Sequence, residues 1–329
     1  MVTIKEIAER ANVSRTTVSR VLNSSGYVSE EAKKRVLKVI EETSYVPSEN
    51  AKSLRTKKTK VIGAVLPKIS TETSSRLVKG MDEILAPEGY QILLTNTNLE
   101  PEKEIEYLKL LKSRHVDGII LSATNINRPL VEEIYNLKIP FVTVGQTISG
   151  LANVIFDDYQ ATKDMVNFLV QKGHNNIAFI GVDEQDRAVG YLRKSGYLDA
   201  MKENNLYIEN NWVKKGIFNV ESGFECMKAI LDASQNKPTA VLAVTDRLAI
   251  GAMQYLKEAG ITIPDDIALA GMGASELSKY ITPALTTIDF SIEEAGREAA
   301  LLILKKINGE NSHEIIKKIH YRLIERASI

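Results

Sequence analysis

The sequence predicts an α/β protein with two parts: an N-terminal three-helix helix-turn-helix domain plus hinge helix, then a larger core of parallel sheets flanked by helices. Three observations carry that prediction. The first 45 residues hold three short, well-capped amphipathic helices. From Val61 onward, apolar strand-like runs alternate with helical periodicity. Basic residues also crowd into the first sixty positions, although the whole chain is neutral.

Thr3-x-x-Glu6 has the form of a capping box, and Ile4, Ile7, Ala8 and Ala11 make one apolar face on the helix it opens. Asn12-Val13-Ser14 turns the chain, and Ser14 is placed to cap a second helix, Arg15 to Leu22. Val18, Val21 and Leu22 line one side of that helix. Arg15, Thr16, Ser19 and Arg20 line the other. Ser29 caps a third helix whose first turn carries Glu30 and Glu31, matching the positive helix end. Three small helices, the second with a donor-rich face, form a DNA-binding module. The competing reading is a helical bundle with a solvated basic face.

Thirteen Lys and Arg stand against seven acids in residues 1–60, a net +6 that leaves −6 for the remainder of a neutral chain. A basic head on an acidic body concentrates phosphate-directed attraction where the donor-rich helix lies.

Pro47 disfavours helix at Val46, so Tyr45-Val46-Pro47 is expected to end the third helix. Ser48 can then cap a segment running through Asn50 to Arg55, barely two turns long and marginal as an isolated helix. Two readings fit Leu54, an apolar side chain among basic and small polar neighbours. It is a wedge for the base steps of a minor groove, or part of an ordinary linker. The expected boundaries are 1–47 for the DNA-binding domain, 48–60 for hinge helix and linker, and 61–329 for the core.

In the core, strands are expected at Val61–Leu66, Gln91–Thr95, Asp117–Leu121 and Phe141–Val144, with helices near Ser74–Leu85 and Pro101–Lys112. A second set starts near Asp157, with a helix at Ala161–Lys172 and strands at Ile177–Ile180, Ala240–Val244 and Ile267–Ala270. Near-continuous apolar strands alternating with amphipathic helices mean parallel sheets covered on both faces. Two sets imply two lobes with a ligand cleft at the strands' carboxyl ends. Thr245 and Asp246 end a strand and start a helix, which sets them at that cleft's edge; helix capping is the alternative role for Asp246. Ser122 and Gln146 follow other strand ends.

Enzyme chemistry finds little support. The four histidines are scattered without metal-ligand spacing, and no phosphate-binding glycine loop or nucleophile elbow is present. No cofactor and no metal are expected. Cys226, the single cysteine, lies in a helical pattern as a small core hydrophobe. No apolar run approaches membrane-spanning length, so a cytoplasmic protein without membrane contact is expected.

These features together resemble the lactose-repressor/galactose-repressor family of bacterial transcription regulators. The residues that carry the resemblance include Thr3-Ile4-Lys5-Glu6-Ile7-Ala8, Val13-Ser14-Arg15-Thr16-Thr17-Val18-Ser19-Arg20-Val21-Leu22-Asn23 and Tyr45-Val46-Pro47. Val116-Asp117-Gly118-Ile119-Ile120, Thr245-Asp246-Arg247-Leu248-Ala249-Ile250-Gly251 and Thr282-Pro283-Ala284-Leu285-Thr286 extend it through the core. The resemblance implies a two-lobed periplasmic-binding-protein-like core. Lobe 1 would span about 61–157 and 291–320, and lobe 2 about 158–290 and 321–329. It also implies a homodimer on a near-palindromic double-stranded DNA operator, paired hinge helices, and a sugar or sugar-phosphate effector in the interlobe cleft.

By that resemblance Arg15, Thr16 and Arg20 fall on base-reading positions, where arginine suits guanine and threonine suits several base edges. Ser14, Thr17, Ser19, Asn23 and Tyr45 suit phosphate, and Asn50 and Leu54 belong to the DNA-contacting hinge. Arg193 falls where relatives place an effector-binding arginine, and Phe218 where they often place an aromatic; core packing is the alternative for Phe218. Where many relatives carry an acidic pair, this chain reads Gly271-Met272-Gly273-Ala274, with Glu276 nearby. That variant is similar to sucrose-type repressors. The implied function is a repressor of a carbohydrate-utilisation operon; the alternative is a global carbon-catabolite regulator with a protein corepressor.

Overall fold

The structure, a computed structural model, describes residues 2–23, 25–45, 58–233, 236–310 and 315–329. They divide into two units, residues 1–59 and 60–329.

In the first unit, α1 (Ile4–Arg10) opens with a complete capping box: the Glu6 amide donates to Thr3 Oγ1 at 3.3 Å, and the Thr3 amide donates to the Glu6 carboxylate at 3.0 Å. Asn12 turns the chain with a positive φ of 51°. α2 (Arg15–Leu22) then starts at Ser14, whose hydroxyl accepts from the Thr17 amide at 3.1 Å. α3 (Glu30–Thr43) starts at Ser29 in the same way. Ile7, Ala8, Ala11, Val18, Val36 and Val39 form a small closed core between the three helices. One expectation needs correction. α3 stops at a left-handed Ser44 (φ 47°), whose amide bonds back to Glu41 and Ile40, so the helix is already terminated before Pro47 is reached. Val46, Pro47 and the expected hinge residues Asn50 and Leu54 lie outside the described residues.

In the second unit the elements alternate as β1 (Val61–Leu66), α4 (Glu72–Leu85), β2 (Gln91–Asn96), α5 (Pro101–Ser113), β3 (Gly118–Ser122), α6 (Arg128–Leu137), β4 (Phe141–Val144) and β5 (Ala152–Phe156). Then come α7 (Asp158–Gln171), β6 (Ile177–Gly181), α8 (Arg193–Glu203), β7 (Val213–Lys215), α9 (Val220–Ala233), β8 (Ala240–Ala243), α10 (Asp246–Glu258), β9 (Ala268–Met272), α11 (Leu277–Tyr280) and β10 (Thr286–Asp289). α12 (Ile292–Ile307), β11 (Ile315–Ile319) and β12 (Arg322–Ile324) finish the chain. α7 begins three residues before the expected Ala161 because the Asp157 carboxylate caps it by accepting from the Gln160 amide.

Two six-stranded sheets result, ordered β11-β5-β4-β3-β1-β2 and β12-β10-β9-β8-β6-β7. All pairings are parallel except β10 with β12. β1, β3 and β4 bury almost every residue, the pattern of strands covered on both faces. β2, at one edge, leaves Leu93 and Leu94 substantially exposed. α12 packs on α4 so closely that a Cβ at Gly80 would lie 2.0 Å from the Glu293 carbonyl oxygen; only glycine permits that approach.

Among the described residues the chain passes between the sheets three times, after β5, after β10 and after β11. An aromatic marks each passage. Phe156 meets Phe290 edge-on at 5.7 Å between ring centroids, and Phe290 lies 6.4 Å from Tyr321. No described helix is long and apolar enough to cross a membrane.

Candidate functional site

In the first unit α2 presents a polar face rich in hydrogen-bond donors. On α2, Arg15, Thr16 and Arg20 are exposed while Val18 is buried, so packing of one side aims the other at solvent. Ser14 and Thr17 pair through their hydroxyls at 2.9 Å, and the Asn23 amide group donates to the Ser19 carbonyl at 2.6 Å and to its hydroxyl. These bonds hold the short side chains in place around the two arginines. Tyr45 packs half-buried against the three-helix core. The arginine-and-hydroxyl face has the size and chemistry to enter a major groove.

Within the second unit a cavity of about 230 Å³ lies where the carboxyl ends of both sheets converge. Pro67 follows β1, Ser122 ends β3 and Phe156 ends β5; Thr245 follows β8, Met272 ends β9 and Phe290 follows β10. Arg193, Phe218, Thr245, Asp246 and Ser122 all line it. Gln146 and Glu276 do not. Gln146 is 4 % exposed, its backbone carbonyl accepting from the Thr143 hydroxyl. Glu276 is exposed, and its amide donates to both carboxylate oxygens of Glu72 on the opposite lobe, at 2.9 and 2.8 Å.

Arg193 is less available than its sequence context implied. Its Nε and Nη2 both lie 2.7 Å from Asp158 Oδ1, its Nη1 donates to the Val244 carbonyl at 2.5 Å, and the guanidinium stacks 4.5 Å above the Phe290 ring. Asp158 was not singled out in the sequence; it is the first residue of α7, 2 % exposed. Asp246 also differs from expectation. Thr245 performs the capping, accepting from the Leu248 amide, while the Asp246 carboxylate accepts from Thr287 Oγ1 and the Ser275 amide, both at 2.6 Å. Burial raises the pKa of Asp246, and those hydrogen bonds oppose the rise. The acid therefore secures the 273–275 turn from inside the second lobe. A Cβ at Gly271 would sit 2.5 Å from Asp246 Oδ1, which explains a glycine there.

Of two further acids, Asp186 lines the cavity and Glu104 lies behind its Thr124 wall. Asp186 caps a single π turn (Arg187–Leu192) by accepting the Ala188 and Val189 amides, and burial pushes its carboxyl up to about 6. Glu104 accepts from Thr124 Oγ1 and Asn125 Nδ2 beside the cavity wall, and burial pushes its carboxyl up to about 7. A sequence signal existed for Asp186, which stands just ahead of the Arg193 segment. None marked Glu104. The arrangement is suited to holding a small polar molecule between apolar walls; among the described residues no group of three metal-ligating side chains gathers.

Both units are similar to known proteins. Residues 3–48 match the family described as bacterial regulatory proteins, lacI family, and residues 166–329 match the periplasmic binding protein-like domain. The chain is 33% identical to the NTD biosynthesis operon regulator NtdR of Bacillus subtilis (strain 168), over 100% of each protein. Among solved structures it is similar to a transcriptional regulator CelR–cellobiose complex, with a TM-score of 0.76, 26% identity and all of both chains covered. It also matches the lac repressor dimer bound to operator and the anti-inducer ONPF, with a TM-score of 0.87 over 99% of this chain and 98% of that one; at 23% identity this likeness speaks for the fold. The chain therefore belongs to the lacI family of bacterial regulatory proteins and is a DNA-binding transcriptional regulator rather than an enzyme.

Proposed function

We propose that this regulator represses a carbohydrate-utilisation operon and answers to a sugar or sugar phosphate bound between the two lobes of its core. The observation that carries the reading is the cavity itself. It is lined from both lobes, with Phe218, Phe156 and Phe290 beside charged and hydroxyl groups. Aromatic faces with a few fixed polar groups suit sugar rings. The similar CelR structure is a complex with cellobiose, which supports a saccharide ligand.

On the DNA side, Arg15, Thr16 and Arg20 read bases, and Ser14, Thr17, Ser19, Asn23 and Tyr45 hold phosphates. Asn50 and Leu54, in the 48–60 hinge segment, contact DNA as well. β1 starts at Val61, directly after that segment, so a movement of the first lobe moves the chain end that enters the hinge. An effector that prefers one lobe arrangement thereby changes operator affinity.

The test is a fluorescence-anisotropy titration of the purified protein on duplexes obtained by selection from random sequence. Binding is expected to weaken steeply as salt rises. Arg20→Ala is expected to cost about 1–3 kcal/mol and to relax preference at one base position in each half-site. Binding that ignores salt, or a variant that keeps the full base preference, refutes the assignment of α2. A panel of sugars and sugar phosphates then reads the effector: a member that changes operator affinity and loses its effect in Phe218→Ala supports the cleft. An effect undiminished in Phe218→Ala places the effector elsewhere.

A further inference from the structure

The cavity's hydrogen bonds and charges do not close at its second-lobe end. Asp158 is 2 % exposed, and Arg193 approaches only its Oδ1; Oδ2 is fully buried and has no hydrogen-bond partner. Asp186 lines the same cavity and receives both of its backbone amides on Oδ1. Two carboxylates thus share one guanidinium, and Arg193 and Asp158 are both close enough to act on Asp186 electrostatically. Of the other charges lining the cavity, Lys68 stands on the first-lobe wall and Arg247 donates to the Ser70 carbonyl. Asp246 holds Thr287 and Ser275, Glu72 holds the Glu276 amide, and Arg76 donates to the Gly273 and Ala274 carbonyls. A buried acceptor without a donor and a half-buried charge without a counter-charge are each costly.

We infer that the effector carries a protonated amine, seated against Asp158 and Asp186; this rests on the cavity being the effector site. A sugar hydroxyl would give Asp158 Oδ2 a hydrogen bond but leave the extra negative charge in place. An ammonium supplies both the donor and the charge. A phosphate or carboxylate at this end would add to the imbalance. Lys68 on the first-lobe wall would favour an anion instead, and the phosphate arm of the experiment reads that alternative.

The experiment is calorimetric titration of the full-length dimer with matched sets built on glucose, galactose and mannose. Each set contains the 2-amino sugar, its N-acetyl form, the parent sugar and the parent 6-phosphate. At least one free amine is expected to bind on the order of tenfold tighter than its three counterparts. Asp186→Asn keeps an oxygen for the Ala188 and Val189 amides while removing the charge, so it should fold normally and erase that preference. A parent sugar, N-acetyl sugar or phosphate binding as tightly as the amine overturns the inference, as does a failure of every amine to bind. The cleft reading is judged separately. If a neutral sugar or a phosphate binds, loses binding in Phe218→Ala and changes operator affinity, the cleft stands and the amine falls.

Discussion

Glu104, in the first turn of α5, has 1 % of its surface exposed, and burial drives its carboxyl to about 7 against hydrogen bonds from Asn125 and Thr124 that favour the charged form. The unfolded chain titrates this group near its ordinary value of 4.5, so between there and about pH 7 the folded state holds the proton more tightly. Stability from that proton is complete below the unfolded value and is lost as pH rises through about 7. Glu104→Gln is therefore expected to raise stability at pH 8 by roughly 1–3 kcal/mol and to change it little at pH 4.5. Urea melts of both proteins across that range read the difference, and a gap that stays constant with pH would show that Glu104 does not titrate this way. Such a residue is illegible in sequence, because an acid in the first turn of a helix is the ordinary surface pattern. Arg193 was legible by type and position, yet its pairing with Asp158 depends on tertiary folding that brings the start of α7 against α8. Thr245 and Asp246 were legible as a strand-to-helix junction; the direction of the Asp246 carboxylate was not.

Elements were easiest to read where burial is most complete. β1, β6 and β8 appear in the sequence as unbroken apolar runs, and α1 to α3 as capped amphipathic segments. The passages between the lobes carry no periodic signal, since each is one or two residues with a lone aromatic. Their meaning lies in the stack of Phe156, Phe290 and Tyr321 and in the Arg193 guanidinium lying on Phe290. Phe290 thereby touches both the cavity wall and the second passage between lobes. Phe290→Leu keeps an apolar side chain but removes the flat face under Arg193 and the edge contact to Phe156. The expected cost in stability is about 1–2 kcal/mol. Effector affinity should change by only a few-fold while the effector's influence on operator binding shrinks. Anisotropy titrations with and without effector check this, and an undiminished response would remove the aromatic stack from the coupling path.

At the scale of the whole core, the two lobes are clasped by bonds that require no ligand. Glu72 takes the Glu276 amide, Arg76 donates to the Gly273 and Ala274 carbonyls at 3.2 and 3.3 Å, and Arg247 donates to the Ser70 carbonyl at 3.0 Å. Glu72 and Arg76 lie one turn apart on α4, so one helix face performs most of the clasping. The turn they hold is the one where the chain reads Gly271-Met272-Gly273-Ala274 in place of an acidic pair. Backbone groups thus serve as the first lobe's anchor there. An effector enclosed by both lobes also favours closure, so clasp and effector push the same equilibrium in the same direction. Removing the clasp must then act opposite to adding effector, whichever lobe arrangement binds DNA. Glu72→Ala is expected to weaken effector binding several-fold, about 1 kcal/mol. Without effector it should move operator affinity up if the effector lowers it, and down if the effector raises it. Paired operator titrations of the two proteins, each with and without effector, supply both signs. A variant that shifts operator affinity in the effector's own direction would mean that the ligand opens the lobes rather than closing them.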